Sequence, residues 1–254
     1  MLFDTHTHFD DEKFNEDRYE MINKAHESGV DLILNAAADI ESSRAGVLLG
    51  NEFDFIYSSV GFHPEVAKDV TEEMFQEIKL LAQNPKVVAI GEAGLDYHYD
   101  DSPKEIQKEI FRRQVALSRS LNLPIIVHDR DAHEDTLEIL KDENAKECSG
   151  VLHCFSGSVE MAKIVLNMGF YISVGGVVTF KNAKKMVEVV KYVPLDMLLL
   201  ETDAPYLTPE PYRGKRNYSG YVGLVGEKVA ELKGLSYDEV AMKTFENGKK
   251  LFKI

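Results

Sequence analysis

Two histidines stand two residues apart near the start of the chain, in Asp4-Thr5-His6-Thr7-His8. In extended backbone, residues i and i+2 project to the same side, so both imidazoles can reach one ion. Four more polar groups stand where short apolar runs end. Glu92 follows Val87–Ile90, His128 follows Pro124–Val127, His153 follows Gly150–Leu152, and Asp203 lies just past Met197–Leu200. A lone strand-end histidine is more often a hydrogen-bonded core residue than a ligand. Four histidines and two acids at the ends of five such runs are another matter, since each is polar in an apolar setting and needs a strong partner. Imidazole with carboxylate suits zinc, manganese, cobalt or nickel; carboxylate alone would suit magnesium. Six ligands exceed what one tetrahedral ion uses. The expected division is His6, His8 and Asp203 on one divalent ion and His128 and His153 on a second, with Glu92 bridging them. Such a pair activates a water, polarises a phosphoryl oxygen and stabilises the leaving oxygen. Glu92 and Asp203 are therefore the expected catalytic carboxylates. Spacing does not separate ligation by Asp203 from service as general base toward the water.

For these groups to meet, the runs that precede them must lie side by side and end together. Eight short apolar or β-branched runs read as strands: Leu2–Thr5, Val30–Asn35, Phe55–Val60, Val87–Ile90, Pro124–Val127, Gly150–Leu152, Phe170–Val174 and Met197–Leu200. Between and after them lie amphipathic patterns of helical period, at Asn15–Glu27, Glu72–Gln83, Lys104–Ser120, Glu134–Lys141, Val159–Met168, Ala183–Val190, Glu227–Lys233 and Asp238–Asn247. Thr71, Ser102-Pro103 and Ser158 mark helix starts. Strand–helix alternation with continuous apolar strands implies a parallel sheet covered by helices. Eight units close into a TIM (β/α)8 barrel, here one domain over residues 1–254, with all strand ends on the face where this fold keeps its catalytic groups. An open doubly wound sheet usually has fewer strands and often a glycine-rich loop after the first. Thr5-His6-Thr7-His8 has no glycine.

Other residues on the same rim are candidates for substrate contact. His63, in Gly61-Phe62-His63-Pro64 after the third run, either meets substrate or is held by its own turn. Arg130, two residues past His128, is placed to meet a phosphate oxygen. Tyr212-Arg213-Gly214-Lys215-Arg216 is the densest basic cluster, and barrel phosphates often bind near the loops after strands seven and eight. Arg213 and Arg216 are thus expected on substrate, against the alternative of a solvated loop. Cys154 neighbours His153 and should point away from it, which argues against a nucleophilic role. His26, His98 and His133 show no partner pattern.

Composition narrows the field. Lys plus Arg number 29 against 43 Asp plus Glu, for a net charge of −14. Tight binders of long nucleic acid are normally basic, so a DNA clamp is excluded, whereas an enzyme that uses ions and a few local cations on strand ends is not. Cys148 and Cys154 fit no disulfide or zinc-knuckle framework, and the opening residues show no basic, apolar leader; the expectation is a protein of the cytoplasm. No apolar run is long enough to span a membrane. No protein partner is implied.

From Phe3 to Phe252 the chain resembles the TatD-family deoxyribonucleases. The resemblance rests on Phe3-Asp4-Thr5-His6-Thr7-His8, Gly61-Phe62-His63-Pro64, Gly91-Glu92-Ala93-Gly94-Leu95-Asp96-Tyr97, Pro124–Ala132 with His128, His153-Cys154-Phe155-Ser156-Gly157, and Leu200-Glu201-Thr202-Asp203-Ala204-Pro205. It implies a barrel of the metal-dependent hydrolase superfamily. It also implies a divalent-metal site at His6, His8, Glu92, His128, His153 and Asp203, and nuclease activity on DNA, with exonucleolytic action on single strands or ends expected. One departure is visible. The family commonly continues Arg-Gly-Lys-Arg-Asn with Glu-Pro, where this chain has Tyr218-Ser219, which bears on the shape of the substrate entrance.

Two rival chemistries use the same activated water: opening of amide or lactone bonds, and hydrolysis of an aminoacyl ester. Many amidohydrolases bridge their metals with a carboxylated lysine at the end of strand four. Glu92 stands there instead, which favours phosphoesters. A purely structural metal site would be closed and usually rich in cysteine, unlike this set.

Overall fold

The computed structural model describes residues 1–99 and 102–254. Its strands are β1 (Leu2–Thr7), β2 (Val30–Asn35), β3 (Ile56–Val60), β4 (Val87–Asp96), β5 (Ile125–Arg130), β6 (Gly150–Leu152), β7 (Tyr171–Val174) and β8 (Leu198–Leu200). They form one parallel sheet in sequence order. The helices are α1 (Arg18–Glu27), α2 (Ile40–Glu52), α3 (Glu72–Leu81), α4 (Lys104–Leu121), α5 (His133–Asp142), α6 (Val159–Asn167), α7 (Lys184–Tyr192), α8 (Val222–Lys233) and α9 (Tyr237–Phe252). Every residue of β1 and of β4 is buried, because helices cover the outside while the mouth and interior are filled with side chains. This is the (β/α)8 barrel that the alternation predicts. No helix among the described residues is long and apolar enough to cross a membrane.

Helix α2 is absent from the sequence-based reading, for a physical reason. It buries Ser42, Ser43, Gly46 and Gly50 among Ile40, Val47 and Leu49, so small residues interrupt the apolar periodicity of its inner face. A side chain at Gly46 would start 3.1 Å from the Ser58 Cβ, which shows how closely the helix lies on β3. Asp39 starts it with a reciprocal cap to Ser42.

Strand β4 departs from expectation at its other end. The sequence-based strand ends at Ile90, yet pairing to β5 resumes after an irregularity, with Ala93 opposite Val127 and Asp96 opposite Arg130. Gly91 and Gly94 lie within the strand at φ 138° and 152°. At Gly94 a Cβ would collide with the His128 carbonyl, so only glycine lets the two backbones meet there. The six extra residues bring Glu92 and Asp96 into the barrel mouth.

The ring closes thinly. Between β1 and β8 there is an isolated bridge, Thr7 to Ala204, rather than a ladder. The seam is stitched by Asp203 N–H to the His6 carbonyl (2.9 Å), His8 N–H to the Ala204 carbonyl (2.7 Å) and the Thr5 hydroxyl to the Leu200 carbonyl (2.9 Å). The wholly buried Asp4 accepts from both the N–H and the hydroxyl of Thr202. Burial pushes the Asp4 carboxyl up to about 7 against these hydrogen bonds.

Candidate metal centre

At the C-terminal mouth of the barrel, β1 supplies His6 and the residue after it supplies His8. Their Nε2 atoms lie 3.2 Å apart. His8 bonds the Ala36 carbonyl through Nδ1 at 2.9 Å, which orients the ring with Nε2 toward His6 and Asp203. Asp203, in the turn after β8, puts Oδ1 3.8 Å from His6 Nε2 and 3.3 Å from His8 Nε2. Glu92 Oε2 completes this group at 3.1 Å from His6 and 3.8 Å from His8. The other oxygen of Glu92 turns the opposite way, 2.6 Å from His128 Nδ1 and 2.7 Å from His153 Nε2. The rings of His6 and His153 stack at 3.9 Å, so the two groups touch. Among the described residues, every ion-pair partner of Glu92 and Asp203 is an imidazole.

The donor set fits divalent ions. Bonds of roughly 2.0–2.2 Å about a tetrahedral ion hold ligand atoms roughly 3.3–3.6 Å apart. The contacts among His6, His8, Asp203 and Glu92 Oε2 run from 3.1 to 3.8 Å. Imidazole nitrogens facing one another and a carboxylate in a buried cluster are costly without a shared cation. Three trios bring candidate ligand atoms within 4.8 Å of one another: His6, His8 and Asp203; His63, Glu92 and His128; and His6, His153 and Glu201.

Electrostatics divide the imidazoles. Burial, reinforced by the neighbouring His153, lowers His6 to about 4; burial and His128 lower His63 to about 3. Both are therefore neutral, the form that binds metal. Burial also opposes charge on His8, but Asp203 outweighs it and carries His8 up to about 10. At His128 burial is outweighed by Asp96 and Glu92, again giving about 10. Glu92 and Asp203 are held below the ordinary carboxylate range by these imidazoles in spite of burial.

Several supporting residues were not singled out from the sequence. Asp96 Oδ2 sits 3.0 Å from His128 Nε2, a carboxylate that orients the ring from behind. Buried Gln107 and Gln114, seven apart on α4, act as amide clamps. Gln107 accepts from Asp96 N–H and donates to the Asp96 carbonyl. Gln114 does the same for Phe62, beside His63. Their seven-residue spacing on an otherwise apolar helix face was the available signal. Glu201 accepts from Cys154 N–H at 2.6 Å and lies 3.8 Å from His153 Nδ1. Cys154 itself has its thiol pushed far up by burial and nearby acids, so it is inert.

The expected substrate residues separate. His63 joins the cluster, with Nε2 3.6 Å from Glu92 Oε1 and its ring 4.4 Å from that of His128. Its Nδ1 accepts from the Glu65 N–H (3.3 Å), so the neutral ring carries its proton on Nε2. Arg130 is exposed at the rim, its guanidinium 4.8 Å from the Tyr99 ring. Arg213 lies 4.1 Å from the Phe180 ring. Arg216, also expected on substrate, forks onto Asp17 at 2.5 and 2.9 Å, donates to the Lys13 carbonyl and lies over Phe14. Tyr218 packs edge-on to Tyr221 with the Lys24 ammonium 5.3 Å above it, and Ser219 is buried. The other histidines pair locally: His26 stacks on Phe55, His98 meets Asp131 and His133 meets Asp129.

The sequence profile of the family described as TatD related DNase matches residues 3–253. The chain is 52% identical over 254 residues to YabD of Bacillus subtilis (strain 168), named an uncharacterized metal-dependent hydrolase, with 100% of both chains covered. It is 34% identical, again with 100% of both covered, to a protein of Erwinia tasmaniensis named 3'-5' ssDNA/RNA exonuclease TatD. The crystal structure of the TatD homologue YJJV from Escherichia coli K12 matches with a TM-score of 0.94 at 31% identity, over 100% of this chain and 98% of that one. With a barrel of this connectivity and this histidine–carboxylate cluster at its mouth, the chain belongs to the TatD family of metal-dependent hydrolases.

Proposed function

We propose that this protein hydrolyses phosphodiester bonds at the ends of single-stranded DNA, using two divalent ions held by His6, His8, Glu92, His128, His153 and Asp203. The observation that carries the reading is the Glu92 carboxylate, with one oxygen turned to His6 and His8 and the other to His128 and His153. When bound, the ions would supply Lewis acidity for a phosphoryl oxygen and an acidified water. The protein does the rest. Asp203, ionised at neutral pH because His8 holds it below the usual range, is the group that accepts the water proton. His63 offers an Nε2 proton to a phosphoryl oxygen on the β3 side of the mouth. Arg130 and Arg213 give local positive charge in an acidic chain, at the end of β5 and in the loop after β8. The Erwinia relative's name, a 3'-5' ssDNA/RNA exonuclease, supports a strand end as substrate. Zinc, manganese, cobalt and nickel suit the imidazole-rich donors, and magnesium suits them less.

The test is direct. Metal-stripped protein is incubated with end-labelled single-stranded DNA and a panel of these five ions, beside a dihydropyrimidine amide. Stepwise shortening of the DNA with imidazole-preferring ions, and no amide opening, is the expected result. Amide hydrolysis without DNA cleavage would replace the phosphodiesterase reading with the amidohydrolase one.

A further inference from the structure

Next to the cluster stands an aromatic side chain that the chemistry above does not use. Tyr206 follows Asp203 in a turn closed by its own N–H to the Asp203 carbonyl (2.8 Å). Its ring centroid is 6.4 Å from that of His8, yet 44% of the residue is exposed. A tyrosine that merely filled space would be covered. This one is also held in place: its hydroxyl donates to Asp11 Oδ2 at 2.6 Å, and the Lys13 ammonium lies 3.9 Å from the ring centroid. Asn217, donating to the Thr202 and Tyr206 carbonyls, pins the backbone beneath it. An oriented, solvent-facing ring with a flexible cation against it is the pairing that single-stranded nucleic acid uses, a base on the ring and a phosphate on the cation. The pairing recurs at other strand ends and loops of this face, as Arg130 at the end of β5 with Tyr99 and Arg213 with Phe180. In a chain of net charge −14, such local pairs must replace a broad basic footprint.

We infer that Tyr206 is a stacking platform for the nucleobase adjoining the scissile phosphodiester, with Lys13 moving from the ring to the neighbouring backbone phosphate. The inference rests on the phosphodiesterase reading and adds what that reading lacks, a reason for the strand to be unpaired. A base can lie on Tyr206 only after it has left its duplex stack. The ring face carries no hydrogen-bond code, so every base is accepted.

The test compares two single strands with the native, metal-loaded protein: an oligothymidylate, and the same strand with abasic tetrahydrofuran units at the end. Base–aromatic stacking corresponds to roughly 5- to 150-fold in affinity. Wild type should prefer the base-bearing end within that range, in KM and in anisotropy-measured binding. Tyr206→Ala should erase the preference while cutting the abasic end as wild type does, with metal content and Tm retained. Tyr206→Phe, which keeps the ring face but loses the Asp11 bond, should preserve most of it. A Tyr206→Ala enzyme that still prefers the base-bearing end, or that loses both substrates equally, overturns the inference. If wild type cleaves neither strand, the phosphodiesterase reading fails, and the binding comparison still decides whether Tyr206 receives a base.

Discussion

The two groups that share Glu92 are built differently. On the side of β1 and β8, His6, His8 and Asp203 are spaced 3.2–3.8 Å apart, the separations of atoms around an ion. On the side of β4, β5 and β6, Glu92 Oε1 is drawn to 2.6 and 2.7 Å from His128 and His153, and Asp96 grips His128 from behind at 3.0 Å. These are lengths of charge-assisted hydrogen bonds, in which a proton occupies the place that a metal would take. Strand ladders join β4 to β5 and β5 to β6 beneath the second group, whereas the first spans the thinly paired seam. One half therefore has spacing without much scaffold, and the other has scaffold with protons to displace. Ion loading should be unequal.

The largest effect should come from removing what the halves share. Glu92→Ala is expected to drop metal content below one equivalent after dialysis and to cut turnover by more than ~10⁴-fold, beyond the range for loss of a general base alone. Retention of two equivalents by that variant would break the bridging reading. Asp203→Asn touches only the seam side. It should lower single-turnover cleavage by ~10²–10⁴-fold while the β4–β6 side keeps its metal, and His128→Ala should instead be partly rescued by added ion. Full metal with near-normal cleavage in Asp203→Asn would remove Asp203 from the chemistry.

Acidity sharpens the contrast at intermediate size. In the metal-free protein, His8 and His128 reach about 10 against an ordinary 6.5. The stability lent by their protonated forms is complete below pH 6.5 and is lost as pH rises toward 10. Metal needs the neutral rings, so its binding strengthens over the same window. Thermal melts at pH 7, 8.5 and 9.5 should show the metal-free Tm falling and the metal-induced increment growing. Asp96→Asn should flatten the part due to His128 and cost ~10–100-fold in affinity. An increment that shrinks with pH contradicts the assignment. The smallest effect is expected outside both groups. Arg216→Ala should change stability by no more than ~1 kcal/mol and leave KM for DNA untouched, since its guanidinium is engaged by Asp17.

What was legible in the sequence follows from which physical signals are local. All eight strands read directly, because a buried parallel strand is a short apolar run whatever its neighbours do. The six proposed ligands were legible for the same reason, as polar groups at the ends of those runs. Signals that depend on a partner far along the chain were not. The small-residue face of α2 makes sense only against Ser58, and the extension of β4 through Gly91 and Gly94 makes sense only with β5 beside it. Arg216 looked free because Asp17, nearly two hundred residues earlier, is brought to it by ring closure. Gln107 and Gln114 become clamps only when the end of β4 at Asp96 and the turn at Phe62 are brought against α4.

The thin seam between β1 and β8 has a consequence for how the protein breathes. His6 and His8 lie on one lip and Asp203 on the other, so an ion shared by them is a clip joining the two ends of the barrel wall. Clips that close long loops restrict the unfolded chain most, and this one would close a loop spanning most of the sequence. Local opening should begin at this seam in the metal-free protein and be suppressed by the ion, visible as slowed amide exchange at His8 and Asp203, whose N–H groups cross it. The residues that assemble the reaction would then also be the latch of the fold, and metal starvation would present first as a loosened barrel rather than as an intact but idle enzyme.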